Sequence, residues 1–278
     1  MTIKQTYKLI FMALLPIGLC VSGAQADVSG CPATSTFTSL NSYPPVTNLT
    51  EYRSQPIVPV AVLDNMASSC DQHALLAEIF ANITAGSTSD YDRAVKWVTY
   101  IQTVTNHWCF SPLDSDGWGV TSPLWNLQNR SMHCGTSARL TIDGFAAGNM
   151  SARLIQLRAH QAAEVYYDGS WHLIDADDMG IGVFVRNPDG SISSVEQIVN
   201  NLTLVQNIEE AVRERGLPSC CACGSTWVSN YTAAFDHMDY GAGFNSPYII
   251  NKTATLAEER DRYYGWMHYE YVRMSTDW

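Results

Sequence analysis

The sequence predicts an α+β fold in which one helix packs on an antiparallel sheet and disulfide-bonded segments lie at the periphery. Three observations lead to this prediction. Apolar residues recur at helical spacing after Cys134, two alternating segments flank an Asp168-Gly169 turn, and seven cysteines remain once an N-terminal leader is set aside. Helical periodicity followed by a hairpin signal favours a helix that covers a small antiparallel sheet.

The predicted helix begins at Cys134. Ile142 and Phe145 recur at intervals that place them on one face, Gly148 supplies a stop, and Ser131 is the expected N-cap. A cysteine in the first turn faces unpaired backbone N–H groups and the positive end of the helix dipole. Both favour the thiolate, which is the reactive form.

The register of the predicted hairpin follows from its turn. Asp-Gly is a strong two-residue hairpin signal, so Tyr167 pairs with Ser170 and the numbers of paired residues add up to 337. His160 then lies opposite Asp177, and Asp175 is a diagonal neighbour of His160 on the same face. Diagonal Cβ atoms lie about 7–8 Å apart, which long side chains can close. Asp177 therefore rivals Asp175 as the partner of this imidazole.

Cys134, His160 and Asp175 form the set of groups that nucleophilic catalysis requires. The thiolate attacks, the imidazole moves the proton, and the carboxylate orients the imidazole. His133 is predicted to cap the helix or line the pocket instead of acting as the base, because neighbours at a helix start point apart. The scattered histidines are expected to be structural or exposed, namely His73, His107, His237 and His268.

These residues resemble the transglutaminase-like superfamily, a branch of the papain-like thiol enzymes. That family has a Cys at a helix start, a Gly-x-x-x-Arg segment before a strand, a His-x-x-x-Glu-Val strand and an Asp-Gly-x-Trp-x-x-x-Asp return. Residues 134, 148–153, 160–165 and 168–175 match this pattern, with one extra residue in the second segment. The aromatic residue that usually follows the histidine is replaced by Gln161.

The resemblance implies a papain-like core with Cys134 as nucleophile, His160 as base and Asp175 as its partner. It also implies an oxyanion site built from a backbone N–H near the cysteine and an upstream tryptophan. The candidates for the oxyanion site and the cleft are Trp108, Trp118, Trp125 and His133. The implied activity is acyl transfer from protein glutamine, deamidation or peptide hydrolysis through an acyl-enzyme. The expected substrate is a protein or peptide, and neither a cofactor nor a metal is expected.

Residues 1–26 have the features of a secretory signal peptide. Lys4 and Lys8 precede an apolar run that is too short to span a bilayer, and Ala24-Gln25-Ala26 fits a cleavage site. We therefore predict a secreted protein, periplasmic or extracellular, whose residues 27–278 form a single domain. Its core is expected over residues 70–205, and an extension rich in aromatic residues and cysteine over residues 206–278. An uncleaved membrane anchor is the alternative for the leader.

Charge and cysteine content narrow the class of protein further. After signal cleavage 14 basic residues face 27 acidic ones, a net charge of −13 that argues against nucleic acid or an anionic membrane as a partner. Three disulfides would leave one of the seven cysteines unpaired, and Cys134 is the natural candidate. The cluster at residues 220–223 is expected to form disulfides in preference to a zinc site. Its expected partners are Cys31, Cys70 and Cys109, with the connectivity left open.

Other elements are predicted on either side of this core. Helices are expected over residues 70–85 and 90–107 upstream and over residues 194–199 downstream. Residues 57–63 alternate and are predicted to be a short strand or an extended linker. Residues 108–129 are predicted to be a loop that forms a wall of the cleft.

Two functions of other classes stay open. The missing aromatic residue after His160 is compatible with a secreted binding module that keeps the fold and has lost the chemistry. The aromatic residues between positions 235 and 278 are compatible with glycan recognition, although packing under a sheet explains them equally.

Overall fold

The computed structural model describes residues 31–44, 56–107, 112–117, 120, 122–157 and 160–205. Within these ranges the fold is mixed α+β, as predicted. The helices are α1 Thr34–Thr38, α2 Val60–Ser69, α3 Gln72–Ile83, α4 Asp90–Val104, α5 Pro123–Asn129, α6 Cys134–Ala147 and α7 Val195–Asn200, with a 3-10 turn at Leu202–Val205. The strands are β1 Ile57–Val58, β2 Asn106–His107, β3 Leu113–Asp114, β4 Ser131–Met132, β5 Ala152–Leu157, β6 His160–Tyr167 and β7 Ser170–Ile174.

The largest sheet is an antiparallel meander in the order β5-β6-β7. Tyr167 pairs with Ser170 and Val165 with His172, which confirms the register predicted for the hairpin. Both turn residues have positive φ, 48° at Asp168 and 80° at Gly169. Such a turn matches the twist of the flanking strands and allows a two-residue connection.

The hairpin strands are buried on both faces because a helix covers each one. Ala163 and Ile174 join a core that includes Phe145 of α6. Their neighbours in the strands, Ala162 and Leu173, join a second core that also contains residues of α7. Side chains alternate between the two faces of a strand. Because a helix covers each face of this sheet, neither face carries the polar side chains that a half-exposed sheet turns to solvent.

The larger core holds α6 against α3 and α4. Trp97 of α4 and Phe80 of α3 are fully buried there, with ring centroids 5.4 Å apart. A Cβ atom at Gly144 would collide with the Trp97 indole, and one at Gly148 with the Phe80 ring. The absence of these side chains lets α6 approach closely, so the position of its first residue is set by close packing.

Several predicted elements are confirmed, and others need correction. The helices over 70–85 and 90–107 are present as α3 and α4, but α4 ends early because Asn106–His107 pairs with Ser131–Met132. The strand or linker over 57–63 is wrong beyond Val58, since α2 begins at Val60. The loop over 108–129 is wrong at its end, where α5 forms with Ser122 as its N-cap.

One disulfide joins Cys31 to Cys70, whose Cα atoms lie 4.6 Å apart. This pairing removes Cys31 and Cys70 from the three expected partners of the cluster at residues 220–223, because their closeness in the fold makes them partners of each other. A disulfide is typical of an oxidising compartment and is compatible with secretion. Across the described residues, no helix combines the length and apolar character needed to cross a bilayer. The leader, Cys109 and the 206–278 extension lie outside the described residues.

Candidate active site

The candidate nucleophile is the first residue of α6. Cys134 is 8% exposed and is the free cysteine among the described residues. The N-cap is His133 and not Ser131, because Ser131 lies in β4 and pairs with Asn106. This pairing extends the chain up to the helix start and leaves the thiol at the N-terminal end of the helix dipole.

His160 opens β6 and Asp175 directly follows β7, so the hairpin brings them together. His160 Nε2 lies 2.8 Å from Asp175 Oδ2, and the two side chains are almost fully buried. The other carboxylate oxygen, Asp175 Oδ1, accepts hydrogen bonds from the backbone N–H groups of Asp177 (2.9 Å) and Asp178 (3.1 Å). The backbone therefore fixes this carboxylate, which in turn orients the imidazole.

Electrostatics at the site favours a thiolate. Burial raises the pKa of Cys134, but hydrogen bonds and positive charge from His133 and His160 outweigh it and lower that pKa to about 6. Burial acts to lower the pKa of His160, yet the charges of Asp178 and Asp175 raise it well above its usual value. Burial acts to raise the pKa of Asp175, and the charge and hydrogen bond of His160 bring it below its usual value. Together these shifts favour a thiolate–imidazolium pair near neutral pH.

A second carboxyl group faces the same imidazole. Asp178 Oδ2 lies 3.3 Å from His160 Nδ1, and Asp178 is 1% exposed. Burial raises the pKa of Asp178 to about 7, although attraction to His160 opposes this shift. Below that pH this group is a neutral carboxylic acid, and above it the site gains a buried negative charge.

Asp177, the predicted rival of Asp175, binds a different imidazole. Its Oδ2 lies 2.6 Å from Nδ1 of His107. His107 was expected to be structural or exposed, but it is buried beside the site, with its ring centroid 5.1 Å from that of His133. The prediction that His133 and Cys134 point apart is also wrong, because His133 Nδ1 lies 3.3 Å from Cys134 Sγ. An N-cap residue has extended backbone, so the helical argument about neighbours does not apply to it.

Gln102 of α4 positions the turn that carries the carboxylates, and sequence patterns gave no signal for it. Its side chain donates to Asp175 O at 3.0 Å and accepts from Gly182 N at 2.9 Å. Gln102 is 2% exposed. A buried amide that bonds two backbone groups of one loop holds that loop in place.

Of the three tryptophan candidates, the structure describes Trp125. Trp108 and Trp118 lie outside the described residues. Trp125 lies on α5, is half-buried and packs against the apolar cores. Its contacts there are those of a packing residue.

Two sets of buried side chains have the chemistry of cation ligands. His107, Asp177 and Asp178 form one set, and His160, Asp175 and Asp178 form the other, with ligand atoms within 4.8 Å in each. Asp178 belongs to both. The imidazoles in these sets already face carboxylates at hydrogen-bond distance, which is the arrangement of orienting pairs.

No family model matches the chain, and no curated protein matches it. Among solved structures, the chain is similar to a candidate cysteine protease from Cytophaga hutchinsonii, with 19% identity over 37% of each chain and a TM-score of 0.32. The match therefore spans little more than a third of either protein.

Proposed function

We propose that this chain is a secreted thiol enzyme with a transglutaminase-like, papain-like core that acts on amide groups of proteins or peptides. The observation that carries the proposal is the meeting of three side chains, those of Cys134, His160 and Asp175. The helix start supplies Cys134, and the hairpin supplies His160 and Asp175, which lie 2.8 Å apart at Nε2 and Oδ2. A thiol paired with an oriented imidazole is the arrangement that activates a cysteine nucleophile.

The reaction uses each of these groups in turn. The Cys134 thiolate attacks the carbonyl carbon of an amide, and electrons move onto the oxygen. As the intermediate collapses, the C–N bond breaks and the His160 imidazolium gives its proton to the leaving amine. The resulting thioester reacts with water or with a second amine, which passes a proton back to His160. Asp175 stays ionised throughout and stabilises the imidazolium.

The burial of the site supports its use for chemistry. His160, Asp175 and Asp178 are each at most 3% exposed, so water does not screen their charges. Electrostatic interactions in such surroundings are stronger than at a surface. A thiolate–imidazolium pair kept in this environment is poised for nucleophilic attack.

The first test measures thiol reactivity and needs no knowledge of the substrate. Iodoacetamide alkylation of Cys134, followed by peptide mass mapping, is expected to rise through a midpoint near pH 6 instead of the usual value near 8.5. Alkylation that begins only above pH 8 would contradict a thiolate at neutral pH. The signal from this peptide must vanish in Cys134→Ala.

The second test measures catalysis. Glutamine-containing peptides are incubated with a labelled amine, and incorporation, ammonia release and peptide cleavage are followed separately. His160→Gln is expected to lower kcat/KM by about 10²–10⁴-fold, because the proton carrier is lost. The matched control is His172→Gln, since His172 is also buried, on β7, but bonds to Ile192 O and Tyr167 O. Equal losses in the two variants would show that His160 acts through stability alone.

One observation favours a second function, a binding module without chemistry. Cys134 exposes only 8% of its surface, which leaves little room for a substrate carbonyl. In a non-catalytic module the native thiol would resist alkylation at every pH at which the protein stays folded. The Cys134→Ala substitution would then leave ligand binding unchanged. The alkylation profile therefore separates the two functions.

A further inference from the structure

The described residues contain a second imidazole–carboxylate pair that the proposed reaction does not use. His107 is the last residue of β2, and Asp177 lies in the turn after β7, 70 positions further along the chain. Both side chains are buried, and His107 Nδ1 lies 2.6 Å from Asp177 Oδ2. A buried pair at this distance has a fixed ring orientation, since the carboxylate accepts the Nδ1–H proton.

The pair lies behind His133. Parallel pairing of β2 with β4 places His107 opposite Met132, the residue before His133. The rings of His107 and His133 then lie in contact, with centroids 5.1 Å apart and planes inclined at 40°. On its other side, His133 presents Nδ1 to Cys134 Sγ at 3.3 Å. A chain of contacts therefore runs from Asp177 through two imidazoles to the sulfur.

The start of α6 is closed by a capping box between His133 and Thr136. The backbone N–H of His133 donates to Thr136 Oγ1 at 2.9 Å, and the Thr136 hydroxyl donates to His133 O at 2.9 Å. Both bonds use the backbone of His133, and its Nδ1 lies 3.3 Å from Cys134 Sγ.

We propose that His133 is a second catalytic imidazole, which donates its Nδ1–H to the Cys134 thiolate, and that His107 and Asp177 are positioning residues that hold its ring against the sulfur. The inference rests on the proposed function and assigns separate roles to the two imidazoles, His160 and His133. The thiol proton passes to His160, which later delivers it to the leaving amine. His133 keeps its own proton and stabilises the negative sulfur before attack.

The titratable groups around the sulfur and its two imidazoles come from several elements. The start of α6 contributes His133, β6 contributes His160, and β2 contributes His107. The turn after β7 contributes the three carboxyl groups, Asp175, Asp177 and Asp178. Asp175 and Asp178 both face His160, whereas His133 Nδ1 lies 3.3 Å from the Cys134 sulfur.

The test is the pH profile of Cys134 alkylation by iodoacetamide in the full chain. His133→Phe keeps a flat ring and removes the donor, so the midpoint is expected to rise by about 1 pH unit. His133→Asn restores an N–H near the position of Nδ1 and is expected to recover part of the shift. Asp177→Asn frees the His107 ring and is expected to give a smaller rise in the same direction. His172→Phe serves as the control, with no shift expected.

The outcomes separate this inference from the proposed function. A wild-type midpoint near pH 6 that stays unchanged in His133→Phe and in Asp177→Asn would overturn the role of His133 and leave the thiol enzyme intact. A wild-type thiol that reacts only above pH 8 would contradict both the role of His133 and the proposed function. If His133→Phe fails to fold, Asp177→Asn decides: an alkylation midpoint above that of the wild type supports the proposal, and an unchanged midpoint overturns it.

Discussion

Two imidazole–carboxylate pairs lie side by side in this protein, and they differ in how the chain builds them. His160 and Asp175 are 15 positions apart and belong to one hairpin, whereas His107 and Asp177 are 70 positions apart and belong to separate elements. Both carboxylates come from the same turn. The hairpin pair follows from local geometry alone, while the second pair joins β2 to the turn after β7.

The pairs also differ in their relation to the sulfur. His160 hydrogen bonds to Cys134 directly, and its pKa is raised well above the usual value by Asp178 and Asp175 in spite of burial. His107 contacts His133 and acts on the sulfur only through that ring. A group that exchanges protons with reacting atoms affects the rate more than one that positions a neighbour. The comparison therefore predicts unequal effects for equivalent substitutions.

The largest expected effect comes from removing the charge of each carboxylate in turn. Asp175→Asn is expected to lower kcat/KM by about 10²–10⁴-fold, because the imidazolium loses its partner and the ring its orientation. Asp177→Asn is expected to lower it by less than about tenfold. Steady-state kinetics with glutamine peptides measures both. Equal losses would mean that the two pairs share one role.

An intermediate effect is expected at Gln102, which supports the turn that both pairs use. Gln102→Leu leaves the buried Asp175 carbonyl and the Gly182 N–H without this partner, at a cost of about 1–3 kcal/mol in the free energy of unfolding. Urea denaturation measures that cost. Gln128→Leu, at a half-buried glutamine of α5, is the control. A change no larger than in the control would show that the turn is held by other contacts.

A pH dependence of the free energy of unfolding is expected at Asp178, the carboxyl group between the pairs. Its pKa is about 7 in the folded protein and about 3.9 in an unfolded chain, so the folded state binds more protons between these values. The contribution of Asp178 to stability is complete below pH 4 and is lost as the pH rises towards 7. Asparagine does not titrate. Asp178→Asn is therefore expected to gain about 1–3 kcal/mol over the wild type between pH 5 and pH 8.

Urea titrations of both proteins at pH 5 and pH 8 give this difference directly. If the free energy of unfolding differs between wild type and variant by the same amount at both pH values, the raised pKa of Asp178 is contradicted. A gap that widens in favour of the wild type at pH 8 would show that the Asp178 carboxylate is stabilised by its pairing with His160.

The helix start and the hairpin could be predicted because each is determined within a short stretch of chain. The Asp168-Gly169 turn sets the register, and the register alone places Asp175 beside His160. The spacing of Ile142 and Phe145 marks the helix, and Gly148 marks its end. In each case the residues that decide the structure are near neighbours.

The rest required the tertiary structure. Residues 57–63 alternate in polarity, yet α2 begins at Val60, since buried packing of Leu63 overrides a weak local pattern. The contact of His133 with the sulfur depends on the extended backbone at the helix start, which is set by the pairing of β2 with β4.

By itself, then, the sequence determined the helix that begins at Cys134, the hairpin and the meeting of His160 with Asp175, because turn geometry and periodicity act over a few residues. Tertiary packing decided which imidazole Asp177 binds, which way His133 points and how Gln102 holds the carboxylate turn. These contacts join residues 26 to 80 positions apart. No local rule relates such residues, and only the packing of α4, β2 and β4 around the turn brings them together.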